Sequence, residues 1–405
     1  MKSWESILHY LSLLFVTFSL AGELFFPAHV RFILDDLFFP FGVLFLAVTF
    51  FKKPKWRWFI LAFGAITIWG FLSDTLANGT IRTAPFGMLL RWMKWPIMCI
   101  TIAEVGQLKI KRNHVLNGII LSFLFLAGIN ILMILNPLGF GRWLSVLYSP
   151  KLDILLSNYH EFGAFRLSGT MLNPNNNAIL FGLFLIFFLH VDARKYWKYI
   201  LLAFIMIFLT QSRTVMLITL VILGLYVLRA NSRKVNMILI PAGVASFIGG
   251  LFLFRSTNLV SMFNGSAFQS NSWTSRMDHY EILVNSGMKE MILGHGIVLD
   301  PIAAVGFHFD SEYLSIGYQY GVIGLFIWAI IIGLLLKITR KANRKSTFQW
   351  AIVLFIFGIA ATNFTFLNVE CATLMMILIG SWLFLQGDSK LYNHSKEETK
   401  ENPVQ

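Results

Sequence analysis

Runs of about twenty apolar residues recur from one end of this chain to the other, separated by polar connections. A helix needs roughly 17–25 such residues to cross the hydrocarbon of a bilayer. No other feature restricts the fold as strongly. A backbone inside lipid must satisfy all of its own hydrogen bonds, which leaves helices or closed barrels. The runs fall near residues 7–25, 33–51, 57–74, 86–105, 115–135, 176–191, 197–211, 213–229, 235–254, 312–336, 349–367 and 370–386. The expected fold is all-α, a polytopic transmembrane helix bundle of about twelve spans. Composition excludes the soluble alternative. The chain is 57% hydrophobic and 13% charged, where a soluble domain has about 45–50% and ~25%. No small-x-small cleavage site follows Leu20-Ala21-Gly22-Glu23, so the first run reads as a retained span.

The formal net charge of +13 is distributed as a topology signal. Lys and Arg cluster at 52–57, 109–112, 194–198, 229–234 and 337–345. The alternate connections, near 26–32, 75–85, 136–175, 211–213, 255–311 and 368–369, are poorer in them for their length. The positive-inside rule places the first set in the cytoplasm, and both termini with it. Residues 1–254 then hold spans one to nine and 255–311 a large extracytoplasmic loop. Residues 312–386 hold spans ten to twelve, and 387–405 a solvated cytoplasmic tail. Short clusters between spans are not the continuous basic face that nucleic acid requires, so no nucleic-acid partner is expected. Cys99 and Cys371 form neither a metal spacing nor a disulfide framework. The large loop is expected to contain an amphipathic helix near 272–292, opening on Ser275-x-x-Asp278. Met277, Tyr280, Val284, Met288 and Met291 share one face of it. Such a helix either packs over the membrane domain or serves as a lid or acceptor platform.

The unusual residues gather on the predicted outer face. Arg166 through Asn177 carries Gly169, Pro174 and four asparagines, among them Asn175. It reads either as a polar helix start, capped by Asn173 or Asn175, or as a ligand-positioning segment. Gln211-Ser212-Arg213 is a very short outer turn between two spans, which holds Arg213 near membrane depth. An ionisable residue there is expensive and marks a functional site by default. Arg276 opens the loop helix and, taken alone, reads as a solvated charge. His308, Asp310 and Glu312 cluster where a span begins. They could deprotonate or orient a hydroxyl, or be an interfacial histidine with two solvated acids. The Asp35-Asp36 pair reads as exposed interfacial charge rather than a divalent-ion site. Arg91 and Lys94, among Trp92 and Trp95, either snorkel or face an anionic lipid diphosphate.

The order of these features resembles the O-antigen ligase and O-antigen polymerase superfamily of bacterial membrane glycosyltransferases. It runs from Arg166 with Gly169 and Asn173-Pro174-Asn175, through Gln211-Ser212-Arg213 and Arg276, to Gly294-x-Gly296, His308, Tyr313-Leu314 and Gly321-x-x-Gly324. The resemblance implies an enzyme of the bacterial inner membrane whose donor is an oligosaccharide on undecaprenyl diphosphate. It implies no nucleotide, metal or other cofactor, and a chain-length regulator and a flippase as partners beside the membrane lipids. It assigns catalytic roles to Arg213 and Arg276 at the diphosphate and to His308 as base or orienter. Arg166, Asn175, Gln211, Asp310, Glu312 and Arg91 are the expected substrate-binding residues. Ligases often carry an asparagine after the histidine, where Phe309 stands here. The expectation is therefore an O-antigen or capsule-type polysaccharide polymerase. The alternatives are a ligase that moves the finished glycan to lipid A core or protein, and a secondary transporter. Transporters place their charges near the midplane, whereas these lie mostly at one face.

Overall fold

The computed structural model describes residues 3–26, 33–83, 86–148, 167–171, 173–229, 280–281, 285–297, 311–343 and 346–401. Helix is the regular structure throughout them. In chain order come α1 (Ser3–Leu24), α2 (Ile33–Lys52), α3 (Pro54–Asn78), α4 (Phe86–Ala103), α5 (Arg112–Leu135) and the short α6 (Phe140–Tyr148). They are followed by α7 (Pro174–Asp192), α8 (Trp197–Thr210), α9 (Arg213–Arg229), α10 (Met288–Leu293), α11 (Glu312–Ala342), α12 (Phe348–Ala360) and α13 (Val369–Glu401).

Six of these, α1, α3, α5, α7, α11 and α13, are long and apolar enough to cross a bilayer. That is half of the twelve expected. The apolar α8 and α12 are shorter; fourteen residues of α8 reach only about 21 Å at 1.5 Å per residue. Helices α2, α4 and α9 also occupy expected runs, and the run at 235–254 lies outside the described residues. The end of the bundle that carries Lys53, Lys55 and Lys337 is termed inner, the opposite end outer.

Helix α7 runs through the middle. It is apolar all round, and Asn177 through Leu189 are buried without interruption, as a helix surrounded by other helices should be. Phe123 of α5 meets Phe181, Phe184 and Phe188 of α7 edge-on at 5.3–6.0 Å between ring centroids. Helix α13 is buried from Cys371 to Leu385 save for Leu383 and lies beside α4 and α7. Helix starts and stops follow local chemistry. Pro54 opens α3, and Gly79 closes it in the left-handed conformation, its N–H donating to Thr75. Asn173 caps α7, its side-chain oxygen accepting the N–H groups of Asn175 at 2.8 Å and Asn176 at 3.3 Å.

Helix α11 is broken at Gly321, where φ is +66°. The break strands carbonyls of the preceding turn, and each finds a donor from elsewhere. Tyr318 O accepts the His295 N–H at 2.8 Å, Gln319 O the Ser73 hydroxyl at 2.9 Å, and Tyr320 O the Trp69 indole at 2.7 Å. A broken helix within a membrane bundle persists only with such replacements. Gly294 sits so close to the break that a Cβ there would collide with the Gln319 carbonyl.

Two expectations are corrected. The run 349–367 is not one helix; α12 stops at Ala360, and 361–368 form an outer turn rich in Thr and Asn. The expected helix over 272–292 is interrupted, since 285–287 are non-helical and Gly287 starts α10 afresh. Of its proposed stripe, Met288 and Met291 are exposed; Met277 and Val284 lie outside the described residues. The polar segment after 387 continues α13 as far as Glu401, a helical form that is compatible with a solvated tail.

Candidate functional site

Four helices, α7, α9, α11 and α13, begin at the outer end, and specific bonds tie their starts to one another, to the end of α12 or to the 361–368 turn. Thr362 Oγ1 donates to Thr214 Oγ1 of α9 at 3.0 Å. The Glu312 N–H of α11 donates to Asn363 O at 3.2 Å. Ser311 Oγ donates to Ala360 O at 2.9 Å. Cys371 Sγ of α13 lies 3.9 Å from Asn176 O of α7. Several of their first N–H groups are capped, among them those of Asn175, Asn176 and Cys371, but each helix N-terminus still carries about half a positive charge. Gathered at one end, they make a region suited to anions.

Arg213 is the first residue of α9 and is partly buried. The turn before it is tightly made. Gln211 adopts φ +57° and donates its N–H to Phe208 O at 3.0 Å. Ser212 N–H donates to the buried Thr210 hydroxyl at 3.2 Å. A cation at the positive end of a helix opposes the dipole, by about 0.3–1 kcal/mol at an exposed site. Local helix energetics therefore do not explain an arginine here, and an anion at this end would offset the cost. Beneath the turn, Leu167 N–H donates to Leu209 O at 3.2 Å. The buried amides of Asn130 and Asn177 hold the same strip: Asn177 Nδ2 donates to Asn130 Oδ1 at 2.8 Å and to Leu167 O at 3.1 Å. The chain leading out of Leu167 thus starts beside the Arg213 turn.

Glu312 is fully buried at the first position of α11. Its carboxylate accepts from the N–H groups of Phe366 at 2.7 Å, Thr365 at 2.9 Å and Leu367 at 3.0 Å, and from the Thr365 hydroxyl. It therefore organises the 361–368 turn that reaches Thr214.

A second outer cluster surrounds the α11 break. Asp74 accepts from Arg82 and, at 2.9 Å, from the Ile297 N–H. Arg82 also donates to Ile297 O at 2.7 Å, and its hydrogen bond to Asp74 raises the guanidinium pKa. His295 stacks flat on Tyr318, with 4.0 Å between centroids and 3° between planes.

Of the predicted site residues, Arg213, Gln211, Asn175 and Glu312 lie at the outer end, Glu312 buried and linked to the Arg213 turn only through the 361–368 turn and Thr214. Arg91 is exposed on α4, which packs with α1, α2, α3 and α13. Arg166, Arg276, His308 and Asp310 lie outside the described residues. Lys94 is taken up within the bundle, bonded to Asp35 at 2.9 Å and Asp36 at 3.1 Å, which gives the acidic pair a cation from the chain itself. Among the described residues no group of three or more His, Cys, Asp or Glu is placed to hold a metal ion. Sequence reasoning missed Thr362, Asn363 and the donors at 365–367. Their signal was the Thr-Asn-x-Thr pattern at 362–365, hidden among Phe364, Phe366 and Leu367.

Residues 198–329 match the family model described as O-antigen ligase. The match runs from α8 into α11 and includes Arg213, Arg276, His308 and Glu312. It bears out the resemblance to the O-antigen ligase and polymerase superfamily and supports ligase- or polymerase-type function in general. Together with the apolar helices it points to a bacterial membrane protein. No curated protein matches the chain.

Proposed function

We propose that this chain is a polysaccharide polymerase of the O-antigen or capsule type, acting at the outer face of the inner membrane. The acceptor sugar hydroxyl attacks the anomeric carbon of a glycan carried on undecaprenyl diphosphate. The new glycosidic bond forms as the bond to the diphosphate breaks, and the lipid diphosphate leaves with the electron pair. Arg213 and Arg276 bind the diphosphate and stabilise the charge that develops on it. His308 takes the hydroxyl proton or orients the hydroxyl. Asp310, Asn175, Gln211 and Arg166 contact the glycan or the diphosphate around them, and Arg91 meets the lipid-linked donor from α4.

The observation that carries this reading is Arg213 at the positive end of α9, where the N-termini of α7, α11 and α13 also open. The test is Arg213→Ala in cells, scored as long-chain glycan at matched protein levels. Losing one transition-state donor costs about 10²–10³ in rate. Arg213→Lys keeps the charge without the two-pronged geometry and recovers part of the activity. Normal polymer from Arg213→Ala would overturn the assignment. A ligase reading is favoured by the description of the matched family itself. It predicts loss of glycan on lipid A core or protein with polymer length unchanged.

A further inference from the structure

At the inner end, far from the Arg213 turn, lies a cavity of about 850 Å³. Its walls come from the start of α3, the end of α4 with the turn after it, the last turns of α11, and α13. Phe59, Leu334, Ile338, Leu383 and Phe384 make it apolar, while Lys55, Lys337 and Lys341 stand along it. Its volume is that of a ligand site rather than a packing defect.

The charges around it are unequally committed. Glu104, the acid in its lining, is already engaged by Lys53 at 2.5 Å and Lys55 at 2.6 Å, and it accepts the Trp56 indole N–H at 2.8 Å. Burial opposes its ionisation, but Lys55 and Lys53 outweigh that and hold its carboxyl at about 2. Lys337 and Lys341 sit four residues apart, on one face of α11. Both are exposed, and neither pairs with a carboxylate among the residues whose side chains the structure describes, which excludes those of 388–401. Trp58 is 68% exposed beside the cavity, as tryptophans are at headgroup depth.

We propose that this cavity is a binding site for one anionic phospholipid of the inner leaflet. The phosphate lies between Lys337 and Lys341, and an acyl chain enters among Phe59, Ile338 and Phe384. Basic pockets between transmembrane helices on the cytoplasmic side hold anionic headgroups in this manner. The apolar depth selects a lipid over a free phosphate, because only a lipid covers both the lysines and the phenylalanines. Such a site would couple the seating of α3, α4, α11 and α13 to the charge of the leaflet.

The test is native mass spectrometry of the purified full-length protein with added phosphatidylglycerol or phosphatidylcholine. The expected result is one retained phosphatidylglycerol, preferred on the order of tenfold or more, since each lysine contributes about 1 kcal/mol at a charged surface. Lys337→Gln with Lys341→Gln should abolish the preference, and the Arg pair should keep it. Ala342→Trp, which narrows the cavity without touching charge, should lower retention of the lipid and serves as the deciding variant if the Gln pair does not fold. Equal retention of both lipids by the wild type would overturn the proposal. So would displacement by millimolar inorganic phosphate, which would make the ligand a free anion. A preference that appears only after removal of residues 388–405 would assign the cavity to the chain's own C-terminal segment, which carries Asp388, Glu397, Glu398 and Glu401, and would overturn it too.

Discussion

Replacing Glu312 by Gln alters one atom and should cost more than its size suggests. Three main-chain N–H groups and one hydroxyl point at the two carboxylate oxygens in a fully buried site. A Gln side chain keeps one oxygen, which can serve Phe366 and Leu367. Its NH₂ then faces Thr365, whose hydroxyl can turn to accept, but whose N–H cannot. At least one buried N–H is left without an acceptor, costing about 1–3 kcal/mol. The remaining bonds lose the charge assistance that makes such contacts about twice as strong. The sum is about 3 kcal/mol. Thermal unfolding of purified Glu312→Gln in detergent should show a clearly lowered midpoint. Because the 361–368 turn reaches Thr214, polymer per folded molecule should fall as well. Glu312→Asp keeps the charge but, one methylene shorter, draws the carboxylate back from its donors at 365–367 and should fall between. An unchanged midpoint with normal polymer in Glu312→Gln would mean that the turn is held by contacts other than the Glu312 carboxylate.

At the inner end, Glu104→Gln should destabilise near neutral pH by at most about 3 kcal/mol, the equivalent of its depressed pKa, and by less in salt because Lys55 is half exposed. A carboxyl held near 2 contributes stability above its unfolded value and loses it as pH falls toward 2, so unfolding midpoints of wild type and variant should converge below about pH 4; a constant gap would contradict this. Gly294→Ala places a methyl against the Gln319 carbonyl at φ +90° and should cost about 2 kcal/mol or more. Gly22→Ala, with open space around it, should not destabilise, and equal unfolding midpoints for the two variants would refute the close-approach argument. Asn177→Leu leaves Asn130 without its amide partner in the core, so Asn130→Leu/Asn177→Leu should be less unstable than the sum of the single variants in a double-mutant cycle.

The helices were legible because lipid imposes one periodicity and one length, and short turns such as 211–213 stood out against them. Partnerships across the sequence were not. Glu312 reads as a solvated acid beside a histidine until its donors, some fifty residues onward, are seen. Lys94 reads as a snorkelling or diphosphate-binding cation until α2 brings Asp35 and Asp36 to it. The 361–368 turn was absorbed into a span because Phe364, Phe366 and Leu367 carry the apolar average past Thr362 and Asn363. A hydropathy window averages over the polar groups that end a helix, and the hydrogen bonds that pay for ending it come from elsewhere in the chain.

The two glycine pairs show the same division between pattern and cause. Gly294-x-Gly296 and Gly321-x-x-Gly324 were legible in the sequence as motifs of the resemblance, without a physical role. In the structure Gly294 and Gly321 let two main chains meet, so that the 294–297 strip supplies a donor to a broken helix. The strip is fastened again by Asp74 through Ile297. It leads directly toward the segment that carries His308, as the chain from Leu167 leads back toward Arg166. Rigid fastening at the base of a long connection restricts where its reactive side chain can travel, which favours the positioning that group transfer needs. Under the proposed function the glycines would act through main-chain geometry, and the arginine at α9 through charge. The two kinds of variant should therefore differ: glycine replacements should lower stability and activity together, whereas Arg213 replacements should lower activity alone.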